Sequence, residues 1–349
     1  MTHFLQLHLL TFYPPANVNR DDTGRPKTAF VGGATRLRIS SQALKRAWRT
    51  APAMQTALAG HLGQRTQRLG QEIHNHLVES GVPTERATEV ARKIIPVFGK
   101  AKEEAGQKRL YTEQLAFIAP EERAAALALA DQIAAGATPE ISSEALLRRS
   151  DTAADIAMFG RMLADNPDYN REAAVQVAHA ITTHRVPVED DFYTAVDDLK
   201  RPAEDAGAGF VGEAGFGSGV FYLYLCVNRA LLVANLGGDV KLAATTIGAL
   251  VEAAATVSPS GKQNSFAALT RAGYILAERG DTQPRTLAGA FARPVDDRQD
   301  VMGASIAALR DFRDAVDAAY GPGGLQRAEM VVGQLGGSTL ADIVGFCRA

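Results

Sequence analysis

The chain has 349 residues, of which 46% are hydrophobic and 22% are charged. This length and composition indicate a globular protein with two or three structural units. Two cysteines, Cys226 and Cys347, are too few for a disulfide framework, and no run of about 18 apolar residues predicts a membrane span. Residues 1–10 lack the basic start and cleavage site of a signal peptide. We therefore expect a cytoplasmic protein with no membrane partner.

The net charge is −2, which alone does not suggest a nucleic-acid partner. The distribution of charge does, because a binding footprint is local. Residues 1–50 contain only two acids, Asp21 and Asp22. The basic residues of the same stretch are Arg20, Arg25, Lys27, Arg36, Arg38, Lys45, Arg46 and Arg49.

The N-terminal segment predicts a strand, a loop and a helix. Leucines alternate within Phe4–Phe12, as on one face of a strand. Residues 17–30 are polar with glycine and proline, which predicts a loop, and the glycine pair at 32–33 predicts a tight turn. A serine at 40 or 41 would cap a helix that runs to about Ala51.

The remaining chain predicts a helical stretch followed by separate strands and helices. Residues 54–172 are rich in Ala, Leu, Glu and Arg and indicate a helical insertion, whereas 187–217 are acidic and then glycine-rich, as in a hairpin or loop. Strands are predicted at Val175–Val186, Gly219–Asn228, Gly273–Leu276 and Met330–Val332, and helices ending near Val257 and spanning Val301–Tyr320.

The order of elements outside the insertions is β–α, then β, then β–α–β. This order predicts an α+β fold with an RRM-like (ferredoxin-like) sheet. The domain with this sheet would comprise residues 1–53 and 173–349, interrupted by the helical insertion at 54–172 and carrying the hairpin at 187–217. A sheet of this kind has one open face, which RNA-binding modules commonly use.

The predicted helix after residue 40 has two distinct faces. Gln42, Lys45, Arg46 and Arg49 fall at i, i+3, i+4 and i+7 and form a basic face. Leu44, Ala47, Trp48 and Ala51 share the same spacing and form an apolar face. Ser40, Ser41 and Gln42 lie at the helix N-terminus, where backbone N–H groups favour anions. The basic face is therefore either a phosphate-binding surface or an ordinary solvated face, and Trp48 is expected in the core.

Five segments in residues 1–230 resemble signature segments of the CasC family, the repeating backbone subunit of the type I-E CRISPR Cascade. They are Asn19–Asp22, Arg38–Gln42 with Leu44–Arg46, Ala178–His184, Thr194–Leu199 and Ser218–Tyr222. The resemblance implies an RRM-like palm, helical fingers and a thumb hairpin at the three positions given above. It also implies a subunit without enzyme activity that polymerises along a guide RNA (crRNA) in antiviral defence against foreign DNA.

In such a subunit the guide backbone is held independently of sequence, and bases are displaced at regular intervals. The implied partners are the guide RNA, the target DNA strand through the guide, other copies of the chain, and the large, small and guide-end-binding Cascade subunits.

The resemblance also implies roles for individual residues. Phosphate contacts are implied for Arg20, Lys27, Ser40, Gln42, Lys45 and Arg49, with Arg46 beside them on the basic face. Met162 would be an apolar wedge against a base, with Tyr193, Thr194 and Val211 as its thumb partners. Without the resemblance, Met162 would be interpreted as a core residue. Lys262, in a glycine-containing loop, is either a further RNA contact or an ordinary exposed lysine.

Two other function classes stay open from the sequence. A metal-dependent ribonuclease could use the carboxylates of Asp21-Asp22, Asp190-Asp191 or Asp197-Asp198, although adjacent acids on a loop are usually solvated. A purely structural scaffold would have no RNA contact. His179 and His184 lack the spacing of a zinc motif, and the glycines of 215–219 enter a strand, so we expect no metal, cofactor or catalytic residue.

Overall fold

The computed structural model describes residues 3–104, 106–195, 210–298 and 300–349. The signature segment Thr194–Leu199 thus lies largely outside the described residues, as do Asp197, Asp198 and the central part of the predicted 187–217 hairpin.

The strands of the described residues are β1 (Phe4–Ala16), β2 (Thr28–Val31), β3 (Ala34–Ile39), β4 (Gln64–Thr66), β5 (Ala116–Ile118), β6 (Val175–Val177), β7 (Ala180–Thr182), β8 (Glu189–Ala195), β9 (Phe210–Asn228), β10 (Tyr274–Gly280) and β11 (Gln326–Val331). The α-helices are α1 (Ser41–Arg49), α2 (Pro52–Ala57), α3 (Leu69–Glu79), α4 (Thr84–Ile94), α5 (Pro120–Ala134), α6 (Ser143–Leu146), α7 (Ala154–Phe159), α8 (Arg229–Asn235), α9 (Val240–Thr256), α10 (Gln263–Phe266), α11 (Val301–Tyr320) and α12 (Leu340–Arg348).

One large sheet organises the fold, with the strand order β11-β10-β1-β9-β7-β3-β2. The pairs β1–β10, β10–β11, β2–β3, β3–β7 and β7–β9 are antiparallel, and β8 forms an antiparallel hairpin with the start of β9. The molecule is therefore a mixed α+β protein with a large antiparallel sheet. The RRM-like interpretation of this sheet stays a prediction.

The centre of the sheet is buried on both faces. Every residue of Leu5–Leu10 in β1 is buried, whereas a sheet with one solvated face would alternate. Leu10 packs with Phe291, which precedes α11, and with Leu309, which lies in α11. The expectation of an open face is wrong at β1, because both faces of this strand are covered.

The chain divides into two compact units. The first contains Met1–Met54, Val177–Cys226 and Ile247–Ala349, and the second contains Gln55–Gln176 and Val227–Thr246. The second unit has its own helical core, built mainly from α3, α4 and α5.

Residues 227–246 lie in the second unit, whereas the sequence predicts them in the palm. The physical reason is Asn235, whose side-chain amide donates to the carbonyls of Ala157 and Glu172, while its own carbonyl accepts from Arg171. The periodicity of the sequence does not predict these bonds, because each joins residues more than 60 positions apart. The names palm, fingers and thumb stay predictions.

Several element predictions are confirmed. The strand at Phe4 extends to Ala16, α11 spans Val301–Tyr320 as predicted, and Asp300 caps it by accepting from the N–H of Gly303. Trp48 is 0% exposed, as the apolar face of α1 requires. The helices α8 and α12 are not predicted from the sequence, because both are short.

No single helix among residues 3–104, 106–195, 210–298 and 300–349 is long and apolar enough to cross a membrane. Within the described ranges, only α8 and α9 taken together reach that length and hydropathy, and a bend of 119° separates them.

Candidate nucleic-acid interface

The loop of residues 17–27, here called the β1–β2 loop, is attached to the start of α1 by a short series of hydrogen bonds. The Oδ1 atom of Asn19 accepts from the backbone N–H of Ser40 at 2.8 Å. The Asn19 carbonyl accepts from the N–H of Lys27, and the Lys27 carbonyl accepts from the N–H of Arg38. These bonds bring Arg20 and Lys27 into the same region as the N-terminus of α1.

A second asparagine attaches the other side of this loop. The side-chain amide of Asn17, which is 2% exposed, donates to the carbonyls of Gly24 at 2.9 Å and Gly215 at 2.8 Å. Within the loop, the Asp21 carboxylate accepts from the N–H groups of Thr23 and Arg25 and from the Thr23 hydroxyl. These bonds, above all the one from the Thr23 hydroxyl, lower the pKa of Asp21. The loop is thus closed internally and held at two points by the first unit.

Helix α1 presents the predicted basic face. Ser40 is its N-cap, with an extended backbone and a hydroxyl that accepts from the N–H of Ala43. Leu44 and Trp48 are buried, whereas Gln42 and Arg46 are exposed and Lys45 and Arg49 are half-buried. Burial lowers the pKa of the Lys45 amine. The polar and charged groups of α1 therefore lie on the face opposite Trp48.

Three predicted contacts meet in one cleft of about 440 Å³ in the first unit. Arg20, Tyr193 and Lys262 line this cleft together with residues that include Arg25 and Gly215. Lys262 reaches it because the preceding Gly261 packs against the backbone of Val18. A Cβ atom at 261 would lie 2.5 Å from the Val18 carbonyl oxygen, so a residue larger than glycine would displace this loop.

The β8–β9 hairpin pairs the three predicted thumb residues. Thr194 lies opposite Val211, and Tyr193 lies opposite Gly212. All three predicted residues are exposed. The Tyr193 ring lies over Gly212, where an added Cβ would be 2.5 Å from the ring atom Cζ. The ring also contacts Phe210, with centroids 6.1 Å apart, so an aromatic surface is exposed on the hairpin.

Met162 lies in the second unit and is 79% exposed, so it is not a core residue. The preceding residue explains this position. Arg161 is buried, donates to Glu122 at 2.6 Å, and also donates to three backbone carbonyls. Because the Arg161 side chain is held inward, the next side chain along this extended segment faces solvent.

Two of the carboxylates proposed for a ribonuclease have other partners in the structure. Asp21 closes its own turn, whereas Asp190 forms an ion pair with Arg25 at 2.8 Å. In the described part of the chain, no three His, Cys, Asp or Glu side chains lie close enough to hold a metal ion. His184 is buried and accepts from the N–H of Val220, which is a structural role.

Sequence reasoning missed Asn17, Asn19 and the surroundings of His179. Asn19 opens one of the signature segments, which could have drawn attention to it. The partner of Asn19 lies 21 positions away and that of Asn17 lies 198 positions away, so neither contact follows from a local pattern. His179 is exposed and contacts Arg38, a contact that depends on the pairing of β3 with β7.

The chain is similar to one protein family and to chains of solved structures. The family model described as "CT1975-like protein" matches residues 5–342. A chain from a solved "CRISPR RNA-guided surveillance complex, pre-nicking" is 30% identical, with a TM-score of 0.88 over 99% of this chain and 100% of that one. A chain from a solved "CRISPR RNA-guided surveillance complex" is 25% identical, with a TM-score of 0.62 over 97% of this chain and 92% of that one. The curated protein sequences contain no match.

Proposed function

The chain belongs to the CT1975-like family, which is CasC-like, and from this membership we propose that it is a guide-RNA-binding backbone subunit of a CRISPR surveillance complex. Both similar chains come from complexes of that kind. The finer proposal is a type I-E subunit that polymerises along the crRNA, holds its phosphates independently of sequence and displaces bases at intervals. Its first unit would be the RRM-like palm, its helical unit the fingers, and the β8–β9 hairpin the thumb.

The observation that carries this proposal is the attachment of the β1–β2 loop to the N-terminus of α1. The Asn19–Ser40 hydrogen bond brings the side chains of a loop and a helix face onto one surface. That surface combines cations with the side-chain amide of Gln42, and the buried hydroxyl of Ser40 lies at the start of the same helix. Donors of this kind can bind a phosphate backbone independently of the base sequence.

The test is the affinity of the chain for single-stranded RNA of unrelated sequences, measured by fluorescence anisotropy at several salt concentrations. Phosphate binding predicts a logarithmic slope of about −0.7 for each phosphate neutralised. The double variant Lys45→Glu/Arg49→Glu should bind more weakly and with a shallower slope. A matched control, Arg92→Glu/Lys241→Glu, makes the same change of charge at exposed residues of α4 and α9. If both double variants lose the same affinity, the α1 surface is an ordinary solvated face.

Polymerisation needs a separate measurement. The number of copies bound should rise in steps as the RNA is lengthened, which mass photometry resolves directly. One bound copy at every RNA length would contradict the backbone role while leaving RNA binding intact.

We also propose that the chain binds RNA without cutting it. The involvement of Asp21 in its own turn and of Asp190 in an ion pair supports this proposal. Incubation of labelled RNA with the protein and magnesium should leave the RNA intact. Cleavage that requires magnesium and is abolished by an Asp→Asn change at 21, 22, 190 or 191 would establish the ribonuclease instead.

A further inference from the structure

Three basic side chains from three neighbouring segments meet beside the β1–β2 loop. Lys27 immediately precedes β2, Arg38 lies in β3, and His179 immediately precedes β7. The backbone N–H of Arg38 donates to the Lys27 carbonyl, which places these two residues opposite each other. Arg38 lies opposite Ile181, so His179, two positions before Ile181, is its diagonal neighbour on the same face of the sheet.

The contact between Arg38 and His179 determines the tautomer of the imidazole. The Nη1 atom of Arg38 lies 2.8 Å from the Nδ1 atom of His179. A guanidinium group donates hydrogen bonds and accepts none, so Nδ1 must be the acceptor. In a neutral imidazole the proton then lies on Nε2. His179 therefore has an N–H donor on the side of its ring away from Arg38.

The surroundings of His179 keep it neutral. Adding a second proton would place it on Nδ1 and break the bond from Arg38. Partial burial of the ring and the positive charges of Arg38 and Lys27 lower the pKa of His179. The two charged neighbours that shift this pKa, Arg38 and Lys27, are both cations. The ring is thus a neutral donor in a positively charged setting.

Arg38 is oriented by two contacts and keeps further donors. Its Nε atom faces the Thr28 carbonyl at 3.4 Å, and its Nη1 atom donates to His179. The hydrogens of Nη2 are not used in either contact, since a guanidinium group has five donors in a planar fork. With the Lys27 amine and the Nε2–H of His179, they form a concentration of hydrogen-bond donors.

We propose that Arg38 and His179 bind, together with Lys27, one backbone phosphate of the guide RNA. This site extends the surface of α1 and the β1–β2 loop across β3 to β7, and it rests on the proposed function. Arg38 and Lys27 supply charge, and His179 supplies a neutral hydrogen bond and holds the guanidinium in position. The hydrogen bond from Lys27 to Asn19, which also binds Ser40, makes the site continuous with the start of α1.

The experiment compares three variants by RNA anisotropy across a salt series. His179→Phe removes the donor and releases Arg38, so affinity should fall about fivefold, the loss expected for one hydrogen bond. Its salt slope should equal that of the wild type, because a neutral ring releases no counterion. Arg38→Gln should reduce the magnitude of the slope by about 0.7, the value for one phosphate. His179→Gln can still accept from Arg38 and donate outward, so it should restore most of the affinity.

The matched control is His3→Phe, which changes an exposed histidine whose backbone N–H, not its ring, bonds Asp281. Thermal denaturation of each variant separates weaker binding from loss of structure. DNA of the same sequence tests whether the phosphate belongs to a DNA strand. Weakened binding of DNA alone by His179→Phe would overturn the assignment to the guide.

The outcomes separate this site from the proposed function. If His179→Phe and Arg38→Gln bind like the wild type while Lys45→Glu/Arg49→Glu does not, the site is wrong and the proposed function stands. If the wild type itself binds no RNA, both are overturned. A change of slope in His179→Phe would show that the histidine is charged when bound, which contradicts its neutral role.

Discussion

The side chain of Asn19 accepts a 2.8 Å hydrogen bond from the backbone N–H of Ser40, so a loop residue and the N-cap of a helix are joined directly. The N–H of an N-cap residue needs a partner from outside its helix. Here that partner comes from the loop that contains Arg20 and Lys27. An ordered β1–β2 loop and an ordered start of α1 therefore stabilise each other.

Replacing Asn19 tests this coupling. Asn19→Ala removes the acceptor and should cost about 1 kcal/mol of unfolding free energy, and RNA affinity should fall about fivefold as the loop cations lose their positions. Asn19→Asp keeps an acceptor for Ser40 but adds a negative charge. It should be nearly as stable as the wild type and bind RNA more weakly than Asn19→Ala. Urea denaturation and RNA anisotropy measure the two effects, and an Asn19→Ala variant with unchanged affinity would refute the coupling.

Gly212 should control the position of Tyr193. Gly212→Ala places a methyl group where the ring lies, since the Cβ would be 2.5 Å from Cζ. We expect Gly212→Ala to displace bases of bound RNA less than the wild type does. The measurement places 2-aminopurine at successive positions of the RNA, and its fluorescence should be reduced in the variant. The control is Gly345→Ala in α12, where nothing lies within 4 Å of an added Cβ. Equal fluorescence in both variants would show that Tyr193 has no role in base displacement.

Arg161 and Met162 are adjacent but should respond in opposite ways. Arg161→Met leaves Glu122 buried without its ion-pair partner and should cost about 3–5 kcal/mol. Met162→Ala should change stability by less than about 0.5 kcal/mol, because the side chain is 79% exposed, yet it should reduce base displacement. Stability is measured by urea denaturation and base displacement by 2-aminopurine fluorescence. A loss above about 2 kcal/mol for Met162→Ala would mean that this side chain is packed.

Acid should destabilise the first unit through Glu278, which is 0% exposed. Burial alone would raise its pKa, but His8 and the guanidinium groups of Arg327 and Arg285 lower it to about 2. A carboxylate with a lowered pKa stabilises the fold above its unfolded pKa, near 4.5, and that stability is lost as the pH falls toward 2. The loss should be on the order of 2–3 kcal/mol.

Unfolding free energies measured from pH 5 to pH 2.5 check this expectation. Glu278→Gln should flatten the pH dependence in this range. Glu140→Gln, which removes an exposed carboxylate, should leave it as in the wild type. If the unfolding free energy of Glu278→Gln declines with pH in parallel with that of the wild type, other groups cause the acid sensitivity.

The local parts of the fold could be predicted from the sequence. The strand character of β1, the cap of α1, the span of α11 and the burial of Trp48 depend on residues close together in the chain. The basic face of α1 follows from the same periodicity. Of the residues implied for RNA contact, Arg20, Tyr193 and Lys262 meet in one cleft, although only the resemblance to a known family groups them in the sequence.

What could not be predicted depends on pairing between distant segments. The covering of both faces of β1, the attachment of Asn17 to Gly215 and the contact of Arg38 with His179 require a knowledge of the strand order. Asn17 and Gly215 are 198 positions apart, and no local pattern encodes their contact. The sequence shows only that His179 and His184 lack the spacing of a zinc motif, whereas in the structure the two histidines have different surroundings.

The β1–β2 loop is joined to β3 through main-chain atoms of Lys27 and Arg38. Such bonds form whatever the side chains are, so the framework of the loop is largely independent of the charges it carries. Substitutions at Arg20 or Lys27 could therefore accumulate during evolution, or be introduced by design, without dismantling the fold. Affinity for nucleic acid would become an adjustable property, separable from stability, while the side chains of Asn17 and Asn19 keep the loop in place.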